Sequence, residues 1–262
     1  MNLTPTEELY SSLQAAFDHF NRELFDGCLP DVIFTMQRKQ KCMGYLSPER
    51  WASSDNERLC HELAINPAFI GNSSLLSMLQ TLGHEACHLW QYVDPGASPS
   101  RKGYHNKEWA SKMESIGLMP SDTGKPGGKK TGQYMSDYPI PGGRFLEVCK
   151  TLIKDQSFRI PWFDRWAEPA DGYELPQEIV EYLEAEDAQE EEEGSESNIV
   201  ALLSTPLAKL LSGARDDVFL PTAAKAQPTR TKYQCGCQTN IWGKPGLLVR
   251  CEVCNERFSP IE

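Results

Sequence analysis

The first residues of the chain combine a helix start with an amphipathic repeat. Thr4 can cap a helix, Pro5 suits its first position, and Glu7 lies three residues after the cap, as in a capping box. Apolar residues then recur three and four apart as far as Leu24, which is the spacing of one helix face. The pattern predicts a first helix that begins after Thr4 and buries one side.

Three short segments with the composition of strands follow this helix. Residues 32–36, 42–46 and 59–65 are rich in apolar residues, and turn residues separate them. The last of them alternates between two faces, as a half-buried strand does. We expect a small antiparallel sheet on which the helices pack, and therefore an α+β fold.

Helical patterns return beyond the predicted sheet. Residues 72–74 supply caps for a second helix with a strongly apolar face, and residues 107–116 and 146–153 read as two more helices. His19 is expected on the surface of the first helix. Three later aromatic residues are expected to lie in the core: Trp162, Phe163 and Trp166.

One segment carries most of the negative charge. The formal net charge is -11, and residues 181–196 contain nine acidic residues and no basic one. Such a segment buries too little apolar surface to fold alone, although residues 199–211 are apolar enough for a short helix. We divide the chain into a core at 1–120, an extension packed on it at 121–180, an acidic, largely disordered linker at 181–228 and a terminal module at 229–262.

The sequence shows neither a signal peptide nor an apolar run long enough to cross a membrane. We expect a soluble, cytoplasmic protein without a membrane partner. The nine cysteines are odd in number. In a reducing compartment that number favours free thiols and metal ligands over disulfides.

The second predicted helix contains the segment TLGHEACHLW, in which His84 and His88 are four residues apart and Glu85 follows the first. Residues four apart lie on one face of a helix, so both imidazoles can reach one zinc ion. Glu85 is offset around the helix, where its carboxylate can accept a proton from a water activated by the zinc. Three solvated polar residues are the alternative, but the apolar helix argues against it.

A catalytic zinc site normally has three protein ligands and one open position, so another ligand is needed. His105, just before the third predicted helix, is the nearest histidine downstream. Glu108, three residues later, is the alternative ligand. We favour His105 because imidazole suits zinc better and because of its place at a helix start.

The residues around this motif resemble the SprT-like, or Spartan, zinc metalloprotease family. The resemblance rests on residues 20–30, on residues 43–45, and on H-E-x-x-H followed by a histidine before the pair Glu108 and Trp109. It covers about residues 5–120. It implies a zincin-like fold with His84, His88 and His105 as zinc ligands and Glu85 as the catalytic base.

Four cysteines lie close together near the end of the chain. They form one pair separated by a single residue and one separated by two residues, with a Gly-Lys-Pro-Gly turn between the pairs. Two such pairs suit a closed, structural zinc site, and a disulfide or redox pair is the alternative. The predicted ligands of this zinc ribbon are Cys235, Cys237, Cys251 and Cys254.

These observations predict a zinc metallopeptidase with one catalytic and one structural Zn²⁺. The resemblance implies protein substrates associated with DNA or crosslinked to it, and therefore DNA as a partner. The ribbon also contains basic residues and the aromatic side chains of Tyr233 and Trp242, which suit nucleic acid. The alternative is a non-enzymatic DNA-binding or transcription-associated protein, against which the presence of Glu85 argues, since a structural site needs no base.

Overall fold

The computed structural model describes residues 3–39, 42–71, 73–98, 100–101, 103–156, 158–166, 177–192, 203–206 and 230–261. It divides into two compact units, Met1–Leu220 and Pro221–Glu262. The described helices are α1 Pro5–Leu24, α2 Pro67–Ile70, α3 Leu75–Val93, α4 Lys107–Ile116, α5 Arg144–Gln156 and α6 Gln177–Glu192. The described strands are β1 Val32–Met36, β2 Gly44–Ala52, β3 Leu59–Ile65, β4 Leu118–Ser121, β5 Ser136–Pro139, β6 Thr231–Gln234, β7 Asn240–Gly243 and β8 Ser259–Ile261.

Helix α1 confirms the prediction made from its cap and its apolar repeat. The Thr4 side chain accepts from the Glu7 amide, and the Glu7 carboxylate accepts from the Thr4 amide at 2.8 Å. The expectation for His19 is wrong, because this side chain is buried and its Nε2 lies 3.0 Å from the Val148 carbonyl oxygen. Helix α5 covers that side of α1, and the sequence of one helix does not reveal its neighbours.

The sheet of the larger unit has the strand order β1-β3-β2. β2 pairs with β3 antiparallel as expected, but β1 pairs with β3 parallel, so the expectation of an antiparallel sheet is wrong for this pair. After β1 the chain does not turn back beside it. Instead β2 lies at the far edge, and β3 returns between them in the direction of β1. Helix α3 packs against β2.

Helices α3 and α4 confirm two predicted elements. Ser74 caps α3 by accepting from the Ser77 amide at 3.1 Å, and the Asn106 side chain caps α4 by accepting from the Trp109 amide at 3.0 Å. Gly117 ends α4 in the left-handed conformation, with φ of 94°. A Cβ there would lie 2.7 Å from the Phe145 backbone nitrogen, so glycine lets the chain pass directly into β4.

The extension is built from the β4–β5 hairpin, which the sequence analysis did not predict, and from α5, which contains the predicted helix at 146–153. Phe145 and Leu152 are buried in the core of the larger unit. Trp162 and Trp166 are 46% and 53% exposed, so the expectation that they lie in the core is wrong. The indole nitrogen of Trp162 donates to the Glu8 carboxylate at 2.7 Å, which holds this ring at the surface.

Helix α6 runs across the predicted boundary between extension and linker. Ile179 and Leu183 are four residues apart and both buried in the core, so the start of the acidic segment packs as an amphipathic helix. Residues 193–202 and 207–229 of the predicted linker lie outside the described residues. The predicted short helix lies there too, apart from residues 203–206, where Leu203 is buried in the core.

The smaller unit contains a three-stranded antiparallel sheet with the order β7-β6-β8. Its buried residues in the described range are Tyr233, Cys235 and Cys251. The Tyr233 hydroxyl donates to the Lys244 carbonyl at 2.8 Å, which ties β6 to the turn after β7. Among the helices described in either unit, none combines the length and the apolar character required to cross a membrane.

Candidate metal centres

Three histidines converge where α3 passes the start of α4. His84 and His88 lie one turn apart on α3, and His105 directly precedes the cap of α4. One ring nitrogen from each lies within 4.8 Å of the others. The backbone of His105 is fixed by two hydrogen bonds with Gly132, of 2.7 and 3.1 Å. The structure thus brings together the three histidines proposed from the sequence.

The outer hydrogen bonds of two imidazoles determine which ring nitrogens face the cluster. His84 Nδ1 lies 3.0 Å from an Asp137 carboxylate oxygen, and His105 Nδ1 lies 3.2 Å from the Gly132 carbonyl oxygen. Both oxygens are acceptors, so each Nδ1 carries a proton, and in the neutral rings each Nε2 presents a lone pair. The two Nε2 atoms are 3.2 Å apart. A cation between them would remove the repulsion of the facing lone pairs.

This donor set is consistent with zinc. Tetrahedral ligands at 2.0–2.1 Å from zinc lie about 3.3 Å from each other, close to the observed separation of the two Nε2 atoms. Burial lowers the pKa of His88, and burial lowers the pKa of His105 to about 4, with the charge of His84 adding to both shifts. These two imidazoles are therefore neutral at pH 7, as metal ligands must be.

The third imidazole, His84, favours positive charge. Burial alone would lower its pKa, but the hydrogen bond with Asp137 and the charges of Glu85 and Asp137 raise the pKa overall. The same two carboxylates would stabilise a metal ion beside this ring. A site with three imidazoles and two nearby carboxylates therefore suits a divalent cation.

Glu85 lies beside the cluster in a cleft of about 270 Å³, lined also by Cys42, Thr81, His84 and Asp137. Its side chain is buried, and burial raises the pKa of its carboxyl group. Glu85 does not belong to the group of converging ligand atoms. It is thus placed next to a metal site rather than in it, as expected from its offset on the helix.

Gly44, the first residue of β2, allows the sheet to approach α3 at this cleft. A Cβ at Gly44 would lie 2.8 Å from Thr81 Cγ2, 3.0 Å from the Ala64 carbonyl oxygen and 3.6 Å from Glu85 Cγ. The backbone oxygen belongs to the paired strand and cannot move away without breaking the sheet. The close packing of β2 on Glu85 therefore depends on glycine.

Trp109 packs against all three imidazoles from α4. Its ring centroid lies 4.8, 5.3 and 4.4 Å from those of His84, His88 and His105, and the side chain is fully buried. A rigid indole at these distances restricts the rotation of each ligand ring. Among the described side chains, its Nε1 is one of two buried polar atoms that make no hydrogen bond.

The alternative ligand, Glu108, points elsewhere. Its carboxylate accepts from the backbone amide of Ser98 and from the Gln91 side chain, and it is not among the converging atoms. Cys87 is buried on the same helix as the histidines and is also outside the cluster. Of the two ligand sets considered from the sequence, the structure assembles the one with His105.

The sequence analysis missed Asp137 and its partner Gln80. Gln80 Nε2 donates to the Asp137 carboxylate at 3.1 Å and to the Asp137 carbonyl at 3.3 Å. Gln80 lies four residues before His84, so helical spacing places it on the same face. Nothing in the sequence identifies Asp137, because it lies on β5, a strand of only four residues whose sequence, SDYP, shows no apolar alternation.

The four terminal cysteines form a second group in the smaller unit. Their sulfur atoms all lie within 4.8 Å of one another. Cys235 and Cys237 have sulfur atoms 3.2 Å apart, longer than the roughly 2.05 Å of a disulfide bond, and Cys237 lies 3.7 Å from Cys251. A hydrogen bond from Thr239 lowers the pKa of Cys237 to about 6. This sulfur is therefore a thiolate at neutral pH, which is the form that binds metals.

Comparison with known proteins agrees with this geometry. The model of the SprT-like family matches residues 13–126, which include all three histidines and Glu85. A protein of Salmonella typhimurium, described as an uncharacterized protein in the mucB 3′ region, is 40% identical over 52 residues, which are 20% of this chain and 70% of that protein. No solved structure matches the chain. The chain belongs to the SprT-like family.

Proposed function

We propose that this protein is a zinc-dependent endopeptidase with a zincin-like core at residues 1–120. The observation that carries the proposal is the convergence of His84, His88 and His105, with Glu85 next to His84 in the adjoining cleft. Metal ligands and a buried carboxylate at an open cleft are the parts that hydrolysis of a peptide bond requires. Membership of the SprT-like family supports the same activity.

The three histidines would hold the zinc ion, and the zinc would polarise the scissile carbonyl and lower the pKa of the attacking water. Glu85 accepts the proton of that water and then donates it to the leaving amine. A backbone hydrogen bond from Leu46 orients the Glu85 carboxylate, and burial favours its protonated state once it has accepted the proton. Trp109 limits the movement of the ligand rings during the reaction.

Zinc in the ribbon would have a structural role. Cys235, Cys237, Cys251 and Cys254 would provide four sulfur ligands and leave no position open for substrate or water. The residues proposed for the ribbon are 229–262, joined to the core and its extension by the acidic segment 181–228. The proposal thus assigns catalysis to the core and binding to a second module.

For the ribbon surface we propose contacts with DNA that bring the peptidase to DNA-associated proteins. The described ribbon contains five basic residues and two acidic ones. Trp242 is 63% exposed, with Lys232 Nζ 5.9 Å from its ring centroid, so an aromatic face and a cation lie together. Such a pair suits stacking on a base and contact with the adjacent phosphate.

The DNA proposal is tested with Trp242→Ala in the full chain. Affinity for single-stranded DNA at fixed salt should fall by roughly 1–3 kcal/mol of stacking energy. Val253→Ala is the matched control, because Val253 is an exposed apolar side chain of the same module. Equal affinity of Trp242→Ala and the control would contradict the proposal that this face of the ribbon contacts DNA.

Glu85→Gln tests the peptidase. The variant keeps the size of the side chain and leaves the histidines unchanged, so zinc content should stay at two ions per chain. Cleavage of a denatured protein substrate should slow by about 10²- to 10⁴-fold, because a positioned proton acceptor is lost. Glu108→Gln is the matched control, since Glu108 is a carboxylate outside the cluster.

Two results would contradict the peptidase proposal. Loss of one zinc ion in Glu85→Gln would make Glu85 a ligand instead of a base. A wild-type protein that binds zinc and DNA but cleaves no protein substrate would favour the non-enzymatic DNA-binding alternative.

A further inference from the structure

We propose that Asp137 is a positioning residue of the histidine site, which fixes the ring of His84 and increases the affinity of the site for a divalent metal. The inference rests on the proposed metal centre and not on the peptidase activity. Asp137 lies on β5, beyond the residues that the family model matches. The metal centre of this chain would then depend on its extension as well as on the core.

Both oxygen atoms of the Asp137 carboxylate are engaged. One accepts from His84 Nδ1 at 3.0 Å, and the other accepts from Gln80 Nε2 at 3.1 Å. Asp137 is 6% exposed and Gln80 is 4% exposed, so solvent does not compete with these hydrogen bonds. A carboxylate held at both oxygens has one orientation, and it presents a fixed acceptor to the imidazole.

This hydrogen bond determines which nitrogen of His84 is the ligand. With the proton held on Nδ1, the lone pair of Nε2 faces His105 and His88. A carboxylate partner also makes the imidazole a stronger electron donor, which strengthens the bond to a metal. Release of Asp137 would allow the ring to rotate and to exchange its tautomer, and both changes weaken metal binding.

The charge of the buried groups also favours a divalent ion. Glu85 and Asp137 are buried carboxylates, and imidazoles that bind a metal do so as neutral ligands and contribute no charge. Two negative charges in a poorly solvated site are costly unless cations balance them. Among the described residues, Asp137 forms its ion pair with His84. Lys39 is the cation near Glu85, but its side chain is exposed. A metal with two positive charges would balance both carboxylates.

A second contact from the same segment supports the assignment. The Gly132 carbonyl oxygen lies 3.2 Å from His105 Nδ1, so residues 132–137 orient two of the three imidazoles. The Gly132 contact is made by the backbone and persists in any substitution. The Asp137 contact is made by a charged side chain, and hydrogen bonds to charged groups are the stronger kind. Asp137 is therefore the residue through which this segment can be tested.

The test compares Asp137→Asn with wild type in the full chain. Asparagine has nearly the same size and retains one oxygen acceptor, but it removes the negative charge. The zinc dissociation constant of the histidine site, measured by competition with a chelator, should rise by about 10- to 100-fold. The ribbon site in the same molecule is the internal reference and should keep its affinity. The unfolding temperature of the metal-free protein should stay close to that of wild type.

Asp122→Asn is the matched control. Asp122 lies in the same hairpin and accepts from the Lys129 amide at 2.8 Å, but it is exposed and is not among the residues that line the cleft. Its zinc affinity should equal that of wild type. A second variant, Gln80→Met, removes the donor that holds Asp137 and keeps the volume of the side chain. It should weaken zinc binding less than Asp137→Asn, because the carboxylate remains.

The outcomes separate this inference from the proposed function. Zinc affinities equal to wild type in both Asp137→Asn and Gln80→Met would overturn the role of Asp137 and leave the peptidase intact. A wild-type protein that binds no metal at the histidine site would overturn the proposed function and this inference together. Weaker binding in Asp137→Asn, with an unchanged ribbon site and unchanged Asp122→Asn, supports the inference.

Discussion

The two candidate metal centres are held by different forces. The histidine site lies between helices whose side chains fill a large core, including Phe17, Phe20 and Trp109, all fully buried. The cysteine site lies in the turns of a small unit with a three-stranded sheet, and Tyr233 is the only large buried side chain among the described residues of that unit. In the first case the fold holds the ligands together, and in the second we expect the metal to hold the fold together.

The difference follows from how much apolar surface each unit buries. Burial of a large apolar side chain contributes roughly 1.5–3 kcal/mol, and many such contributions are needed to offset the entropy of ordering a chain. The larger unit has many buried apolar side chains, whereas Trp242, Leu248 and Val253 of the ribbon are exposed. A small module of this kind usually needs a structural metal. Zinc can therefore serve catalysis in one unit and folding in the other.

Metal removal should show the largest difference between the two units, because only the ribbon should unfold. A chelator added to the full chain should unfold the ribbon, because binding of a structural zinc supplies roughly 10–16 kcal/mol in isolated zinc modules. Amide hydrogen exchange should show lost protection in the ribbon strands β6 and β7 and retained protection in α1 and α3. Retained protection of the ribbon strands after complete zinc removal would contradict the comparison.

A core substitution should affect only the larger unit. Leu79 is fully buried on α3, and Leu79→Ala should lower the free energy of unfolding by about 2–5 kcal/mol. Far-UV circular dichroism during denaturation follows the helices, all of which are in the larger unit in the described part of the chain. The zinc affinity of the ribbon should not change. Val253→Ala is the control, because its side chain is 86% exposed.

The cap of α1 should give the smallest effect. Thr4→Ala removes the side chain that accepts from the Glu7 amide, and about 1 kcal/mol of stability should be lost. The loss should be the same with and without zinc, since Thr4 belongs to neither group of candidate ligands and we expect the core to fold without metal. A loss that appears only in the zinc-loaded protein would indicate that the metal also stabilises the larger unit.

Local patterns predicted three helices and part of α5, but they did not predict α2 or α6. Capping residues and apolar spacing located α1, α3 and α4, because both signals depend on residues within one or two turns. The same signals failed for the pairing of β1 with β3 and for the β4–β5 hairpin. Strand order is determined by contacts between distant residues, and a four-residue strand is too short to show a period.

The sequence alone determined the candidate ligand types and the spacing of His84 and His88 on one helix face, since helix geometry fixes that relation. It also identified the four cysteines, whose close spacing in two pairs is itself the signal. Only the tertiary structure chose His105 over Glu108, by turning one toward the cluster and the other toward Ser98. Only the tertiary structure brought Asp137 to His84, because the two residues are 53 positions apart and meet through the packing of β5 on α3.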